Sequence, residues 1–169
     1  MKLKDYIEEI PDFPVNGVLF KDISPLLENY QAMNYVKTSF LDIIKSCYVD
    51  YVSRIDARGF LFSTLLADTS GVGSFMIRKE GKLPGEVITK KYSLEYGSSK
   101  LSIKKNVNLK NKNVILVDDL LATGGTLKCT EELVNIAGGN VLLLLTVIEL
   151  TKLTGYKILN SKVHSLVKY

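Results

Sequence analysis

The chain has 169 residues, of which 46% are hydrophobic and 24% are charged, and its formal net charge is +4 at pH 7. These proportions are ordinary for a soluble globular protein, and the length predicts one domain, residues 1–169, with a sizeable core. The sequence contains no apolar run long enough to span a bilayer, no signal-peptide core and too few cysteines for a disulfide framework, so we expect a cytoplasmic protein without a membrane segment.

The first 47 residues contain two stretches with apolar residues at helical spacing. The first stretch predicts a helix over residues 2–10, which Pro11 would end. Residues 12–22 include a proline and a glycine and predict a connector. Ser24, followed by a proline, is predicted to cap a short helix, and residues 32–47 predict a longer one.

Strands and helices alternate after this point. Residues 51–55 predict a strand, residues 58–68 a helix and residues 73–77 a second strand. Such alternation is typical of the α/β class, in which helices flank a parallel sheet. Further strands are predicted over residues 114–117, 141–150 and 163–168.

Residues 79–109 interrupt this alternation with glycines, a proline and short alternating stretches, which predict a long hairpin. The segment from Arg78 to Lys105 has eight Lys or Arg and three acids, a balance of +5, whereas the rest of the chain totals −1. A basic segment attracts a polyanion, and long excursions in compact domains are often lids. We expect a mobile lid with few core residues that closes over a small polyphosphate. The alternatives are a solvated loop or, because Tyr92 and Tyr96 interleave the bases, a nucleic-acid surface.

Residues 114–126, VILVDDLLATGGT, form the most specific motif of the chain. Four apolar residues suit a buried parallel strand, and Asp118 and Asp119 follow where it should end, so we expect both carboxylates to face solvent. The next loop offers glycines, threonines and the start of a predicted helix, which together favour a phosphate. A ribose with a 5′-phosphate would match both features, since its hydroxyls can donate to the acids and its phosphate can bind the loop. The simpler alternative is a strand end with a capping Asp and a tight turn.

A second loop, residues 56–60 (DARGF), lies between a predicted strand and a predicted helix. It should therefore face the same edge of the sheet. The chain has only three arginines against nineteen lysines, and Arg58 and Arg78 both fall at predicted strand ends. This placement indicates planar, bidentate contacts with phosphate. The alternative is that Asp56 caps a helix and Arg58 lies on the surface.

The motif at residues 114–126 resembles the signature with which type I phosphoribosyltransferases hold phosphoribosyl pyrophosphate. Over nearly the whole chain, the sequence resembles the adenine phosphoribosyltransferase family. The matching blocks stand in the family's order at residues 13–14, 17–27, 56–62, 77–84, 92–97 and 114–126. The block YSLEYG at residues 92–97 discriminates best, because other phosphoribosyltransferases carry different lids.

This resemblance implies the type I phosphoribosyltransferase fold, a central parallel sheet flanked by helices. A small hood would be built from about residues 1–31 and 149–169, and a long flexible lid hairpin from about residues 79–109. The implied function is purine salvage, in which the 5-phosphoribosyl group passes from phosphoribosyl pyrophosphate to adenine and gives AMP and pyrophosphate. Mg²⁺ would be bound mainly through the substrate. The resemblance also implies a homodimer that binds neither nucleic acid nor membrane.

The resemblance further implies roles for individual residues. Glu95 would be the catalytic acid, Asp118 and Asp119 would face the ribose hydroxyls, and Phe20 would stack on adenine. The implied binding residues are Leu19, Phe20, Lys21 and Leu153 for the base; Ala57, Arg58, Gly59, Arg78, Lys79 and Lys82 for the pyrophosphate; Tyr96 for closing the lid; and Ala122, Thr123, Gly124, Gly125 and Thr126 for the 5′-phosphate.

Two departures from the family pattern bear on this scheme. The family usually has Arg at the position of Lys21, which matters only if the side chain contacts the base. Many members have Glu at the position of Asp56, a milder change.

His164, the only histidine, is expected in the hood or on the surface. Two alternatives stay open: a phosphoribosyltransferase for another purine, and a non-catalytic regulator that senses phosphoribosyl pyrophosphate.

Overall fold

The N-terminal part of the chain forms a small hairpin and two helices. The computed structural model, which describes residues 1–93 and 98–169, begins with a 3-10 helix, Leu3–Tyr6. Strands β1 (Glu8–Ile10) and β2 (Phe20–Asp22) pair in antiparallel fashion, and helices α1 (Ser24–Glu28) and α2 (Tyr30–Ile44) follow.

Two local predictions in this part are wrong. The helix predicted over residues 2–10 ends at Tyr6, because the next residues pair with β2 instead of continuing the helix. Ser24 is the first residue of α1 and not its cap. Its N–H and its hydroxyl donate to the Asp22 carboxylate, at 3.0 and 2.8 Å, so a bond to the end of β2 fixes the start of this helix.

A seven-stranded sheet forms the centre of the molecule. The remaining elements in chain order are β3 (Tyr51–Ile55), α3 (Gly59–Ser70), β4 (Gly73–Lys79), β5 (Val87–Ser93), β6 (Ser98–Lys104), β7 (Asn113–Leu121), α4 (Gly125–Ile136), β8 (Asn140–Glu149) and β9 (Lys162–Lys168). The strand order is β5-β6-β4-β3-β7-β8-β9. Strands β4, β3, β7, β8 and β9 are parallel, whereas β6 is antiparallel to β4 and β5. The predicted α/β class with a central parallel sheet is confirmed.

The two faces of the sheet carry separate hydrophobic cores. On β7, Ile115 and Val117 belong to the core that includes residues of α2 and α3. Val114 and Leu116 belong to the core that includes residues of α4 and β6. Successive side chains of a strand point to opposite faces, so helices on both sides explain the continuous apolar run at the start of this strand.

The hairpin predicted within residues 79–109 is present as β5 and β6. Among the described residues from Arg78 to Lys105, the buried hydrophobic side chains are Leu101 and Ile103 of β6, so the segment offers few core residues, as predicted. These two are buried because β6 pairs with β4, which makes the hairpin part of the central sheet. The role of this segment as a lid stays a prediction.

The connection between β8 and β9 contains two 3-10 helices, Thr151–Leu153 and Gly155–Ile158. Strand β9, which falls in the predicted hood range of residues 149–169, is an edge strand of the central sheet. Among the residues that the structure describes, no helix combines the length and the apolar character needed to cross a membrane.

Candidate functional site

Two cavities lie next to each other at the carboxyl end of β7. The first, here called the loop cavity, measures about 530 Å³ and is lined by residues 56–58, Lys79 and residues 118–127. The second, called the hood cavity, measures about 660 Å³ and is lined by residues from the β1–β2 region, from residues 150–153 and by Tyr169. Leu120 and Ala122 line both cavities, which therefore meet at the end of this strand. Ligands of open α/β sheets bind at such strand ends.

Asp118 and Asp119 lie within β7, which continues to Leu121 instead of ending at Val117. The expectation that both carboxylates face solvent is wrong, because each residue is only 7% exposed. The pairing of β7 with β8 continues through Asp118 and Thr146 to Leu121, which keeps the acids inside the sheet. Both acids nevertheless line the loop cavity.

Burial strongly perturbs these two acids. It raises the pKa of Asp118 well above its ordinary value, and the charge of Asp119 raises it further. Burial also raises the pKa of Asp119, although the guanidinium of Arg58 opposes this shift. Arg58 Nη2 lies 2.6 Å from Asp119 Oδ2. Paired acids whose pKa values are shifted in a cleft are typical of functional sites.

The loop that follows β7 leads directly into α4, as the sequence predicted. Gly124 has a φ of +87°, a conformation that favours glycine, and α4 begins at Gly125. Gly124 has no side chain to cap the first N–H groups of the helix, which leaves them to bind an anion. The residues predicted for the 5′-phosphate, Ala122, Thr123, Gly124, Gly125 and Thr126, all line the loop cavity.

The backbone of Gly155 packs against this loop. A Cβ atom on Gly155 would overlap the Ala122 carbonyl, and one on Gly124 would overlap the Gly155 carbonyl. The sequence does not predict this contact, because a glycine 31 positions after Gly124 gives no signal of its own. The segment between β8 and β9 therefore packs against residues 122–126, here called the phosphate loop.

Gly59, which lies in the second predicted loop and begins α3, packs against Val117 and Asp118 of β7. A Cβ atom on Gly59 would lie 2.8 Å from Asp118 Oδ1 and 2.9 Å from the Val117 carbonyl oxygen, so only glycine fits there without displacement. The Asp56–Ala57 peptide bond before it is cis. Ala57 and Arg58 line the loop cavity beside the acids.

The residues predicted to face the pyrophosphate are only partly brought together. Lys79 lines the loop cavity with Ala57 and Arg58. Arg78 is paired with Asp56, its Nε lying 3.0 Å from Asp56 Oδ2, and its Nη1 donates to the Lys82 carbonyl at 3.4 Å. Arg78 and Lys82 are therefore not among the residues that line the loop cavity, although Arg78 pairs with Asp56, which does line it.

The hood cavity contains all four residues predicted for the base, namely Leu19, Phe20, Lys21 and Leu153. The Phe20 ring packs edge-on against Phe13, with 5.1 Å between the ring centroids. The Arg58 guanidinium carbon also lies 5.1 Å from the centroid of the Phe20 ring. Arg58 thus lies between Asp119 of the loop cavity and the Phe20 ring of the hood cavity.

Lys21 is buried, at 5% exposure, and its ammonium group has partners inside the hood. Its Nζ lies 2.5 Å from Glu9 Oε1 and 3.7 Å from the centroid of the Tyr169 ring. These contacts favour the alternative in which the main chain around Lys21, and not its side chain, would form hydrogen bonds with a base. Glu9 and Tyr169 also line the hood cavity, and neither was predicted from the sequence.

Glu95 and Tyr96 fall outside the residues that the structure describes. His164 lies on β9 opposite Leu145, and burial lowers its pKa.

The acids of the site suit a metal that arrives with its substrate. Within residues 1–93 and 98–169, no group of three or more His, Cys, Asp or Glu side chains could hold a metal ion. Asp118 and Asp119 offer two carboxylates in the loop cavity. Mg²⁺ commonly takes one or two carboxylates together with substrate phosphates and water, so this donor set fits an ion carried mainly by a polyphosphate.

Known proteins resemble this chain over nearly its whole length. The family model of the phosphoribosyl transferase domain matches residues 49–162. The adenine phosphoribosyltransferase of Drosophila pseudoobscura pseudoobscura is 45% identical over 169 residues, which cover 99% of this chain and 93% of that protein.

Solved structures show the same similarity. The adenine phosphoribosyltransferase from Thermoanaerobacter pseudethanolicus has a TM-score of 0.96 and 43% identity, covering 99% of this chain and 98% of that chain. The enzyme from Saccharomyces cerevisiae, complexed with adenine and an imino-altritol bisphosphate, has a TM-score of 0.92 and 38% identity, covering 98% of this chain and 96% of that chain.

Proposed function

The chain belongs to the phosphoribosyltransferase family, among the adenine phosphoribosyltransferases, and we propose that it makes AMP for purine salvage. Adenine and phosphoribosyl pyrophosphate would be its substrates, and AMP and pyrophosphate its products. One observation carries the assignment of this reaction to the site: the loop cavity and the hood cavity meet at Leu120 and Ala122. A sugar phosphate in the first cavity would point its reactive carbon toward a base in the second.

The 5′-phosphate would bind the loop between β7 and α4. The backbone N–H groups and threonine hydroxyls of this loop can donate hydrogen bonds to phosphate oxygens, and the N-terminus of α4 favours negative charge. Gly124, with a φ of +87°, adopts the turn that leads the chain from this loop into α4. This end of the substrate would be held without any lysine inside the loop.

The ribose would lie over Asp118 and Asp119. Their carboxylates can accept hydrogen bonds from the ribose hydroxyls. Departure of pyrophosphate leaves cationic character on the ribose ring, as in glycoside cleavage. Buried carboxylates beside that ring would stabilise the developing charge more strongly than solvated ones, because water is excluded around them. The burial of these acids therefore supports a role in the transition state.

The leaving pyrophosphate carries much negative charge that the site must balance. We propose that Ala57, Arg58 and Lys79 face it, with Gly59 below them and Arg78 and Lys82 at the rim. Mg²⁺ bound through the substrate would neutralise part of this charge when present. The basic hairpin could close over the site and exclude water, which would otherwise hydrolyse the activated sugar.

The base would bind in the hood cavity. Phe20 would stack on the purine, with Leu153 on the other face and the main chain around Leu19 and Lys21 at its polar edge. Glu95 is proposed to donate a proton to a purine nitrogen or to stabilise a protonated one, and Tyr96 to help close the lid. The pairing of Lys21 with Glu9 and Tyr169 supports a rigid wall for this pocket.

The oligomeric state and the location of the protein are further parts of the proposal. We propose a homodimer, for which the exposed apolar side chains Leu61 of α3 and Met76 of β4, at 43% and 42% exposure, offer contact surface. We also propose a cytoplasmic location.

Turnover with a panel of purines tests this function. Purified protein with phosphoribosyl pyrophosphate and Mg²⁺ should convert adenine to AMP and release pyrophosphate, with guanine, hypoxanthine and xanthine giving far lower kcat/KM. Turnover of another purine in place of adenine would change the proposed substrate. Binding of phosphoribosyl pyrophosphate without turnover of any purine would support a regulator instead.

Phe20→Ala should raise the KM for adenine with less effect on the KM for phosphoribosyl pyrophosphate. An aromatic stack contributes on the order of 1 kcal/mol or more, which corresponds to about a fivefold change in KM. Steady-state kinetics with each substrate varied in turn would measure it. Tyr48→Ala is a matched control, because Tyr48 is 78% exposed. Equal changes in both KM values, or none, would contradict the assignment of Phe20 to the base.

A further inference from the structure

Glu131 of α4 is a charged residue in an interior position, with 1% of its surface exposed. Carboxylates are almost never fully buried unless they are paired. Glu131 Oε1 accepts hydrogen bonds from the N–H and the hydroxyl of Ser161, at 2.7 and 2.6 Å. Glu131 Oε2 accepts one from the Asn160 N–H at 3.1 Å and lies 3.3 Å from Lys128 Nζ. One side chain therefore ties α4 to the chain just before β9.

The tied chain lines the hood cavity and packs against residues 122–124, which line the loop cavity. Leu150 and Leu153 line the hood cavity. Gly155 packs against the phosphate loop, and a Cβ atom on Gly124 would lie 3.1 Å from Ile158 Cγ1. Residues 150–161 thus run from the hood cavity, across the loop, to the hydrogen bonds of Glu131 on the helix that the loop begins.

The hydrogen bonds specify where this segment sits. Burial alone would raise the pKa of Glu131, but the bonds from Ser161 and Asn160 outweigh burial and lower it. An apolar side chain could fill the same space without the cost of burying a charge. It could not accept bonds from the two consecutive N–H groups of residues 160 and 161, and so it would leave the end of the segment unfixed.

We propose that Glu131 is a positioning residue for the phosphoribosyl transfer reaction. By holding residues 160 and 161, it keeps Gly155 pressed on the phosphate loop and Leu153 at the hood cavity. It acts through main-chain position and touches no substrate. Displacement of a binding wall by about 1 Å can cost up to a hundredfold in rate or affinity. This inference rests on the proposed function, since it concerns the sites for both substrates.

Glu131→Gln is the direct test, with Glu132→Gln as its control. The first change keeps the size of the side chain but replaces one acceptor oxygen by an NH₂ group that faces donors. Glu132 is the neighbouring acid on the same helix, with a side chain that is 35% exposed and paired with Lys90 at 3.2 Å. We expect Glu131→Gln to raise the KM for phosphoribosyl pyrophosphate by roughly tenfold or more. The KM for adenine should rise as well, whereas Glu132→Gln should change neither.

Ser161→Ala provides a milder variant that keeps the Ser161 N–H. It should raise the same KM values by a smaller factor, and the double variant should be less than additive, because both changes break one contact. All assays are run well below the melting temperature of each variant, so that a loss of stability alone leaves KM unchanged. If Glu131→Gln does not fold, Ser161→Ala decides the matter.

The outcomes separate this inference from the proposed function. Wild-type protein without AMP formation would contradict the function itself. Active wild-type protein with unchanged KM values in Glu131→Gln, or in Ser161→Ala where the former does not fold, would overturn the positioning role alone. Raised KM values with non-additive coupling would support it.

Discussion

Replacing Asp118 and Asp119 together by asparagine should nearly abolish AMP formation while the protein stays folded. Asparagine keeps the shape and one acceptor oxygen of each side chain but removes both negative charges. Loss of preorganised charge stabilisation in a buried site commonly lowers kcat by roughly 10²–10³-fold. The effect should appear in kcat measured at saturating concentrations of both substrates.

The same change should make the protein more stable at neutral pH. Burial raises the pKa of both acids above the ordinary value of 3.8, so the unfolded chain ionises first as the pH rises. The free energy of unfolding of the wild type therefore decreases as the pH rises from that value to the pKa of the folded protein. The double variant has no such acids and avoids this decrease. Its melting temperature should match that of the wild type at low pH and exceed it at neutral pH.

Asp68→Asn is a matched control, because Asp68 is an exposed acid on α3. It should leave kcat unchanged, because Asp68 lines neither cavity. Wild-type turnover in the Asp118→Asn, Asp119→Asn variant would remove these acids from the site. A lower melting temperature at neutral pH would contradict the claim that their burial destabilises the fold.

Glu95→Gln should lower kcat by roughly a hundredfold or more, the usual effect of losing an acid–base group. Glutamine keeps the size and hydrogen bonding of the side chain but cannot donate a carboxyl proton. Substrate binding should be spared, so the two KM values should change little. Steady-state kinetics at several pH values would measure the effect.

Glu86→Gln is the control for Glu95→Gln, because Glu86 lies in the same basic segment and pairs with Lys105 at 3.1 Å. This exposed pair should contribute little, and kcat should stay at the wild-type value. Because lid opening or product release can limit kcat, single-turnover rates should be compared as well. An unchanged single-turnover rate in Glu95→Gln would exclude Glu95 as the proton donor.

Local sequence signals predicted the sheet well. The strand predicted over residues 51–55 matches β3, and the later strands agree within a few residues at each end. These segments are short and rich in β-branched residues, and helices on both faces keep them apolar, so local preference and tertiary environment agree. The loop between β7 and α4 was predictable because glycines, threonines and the following helix all act locally.

Predictions failed where distant partners decide the conformation. Strand β1 exists because it pairs with β2, and β7 extends past Val117 because β8 continues beside it. That extension buries Asp118 and Asp119 and changes their chemistry. Tyr169, Gly155 and Glu131 contribute to the site or its frame only through contacts with residues far away in the sequence, which spacing along one chain does not encode.

The division of the site into two cavities is tested most directly by a crystal structure of the protein with AMP and pyrophosphate. We expect the phosphate of AMP on the N–H groups of residues 123–126 and the ribose hydroxyls within hydrogen-bond distance of Asp118 and Asp119. The adenine ring should lie against Phe20 in the hood cavity, with pyrophosphate beside Arg58 and Lys79. AMP bound outside these two cavities, or with its adenine in the loop cavity, would contradict the account.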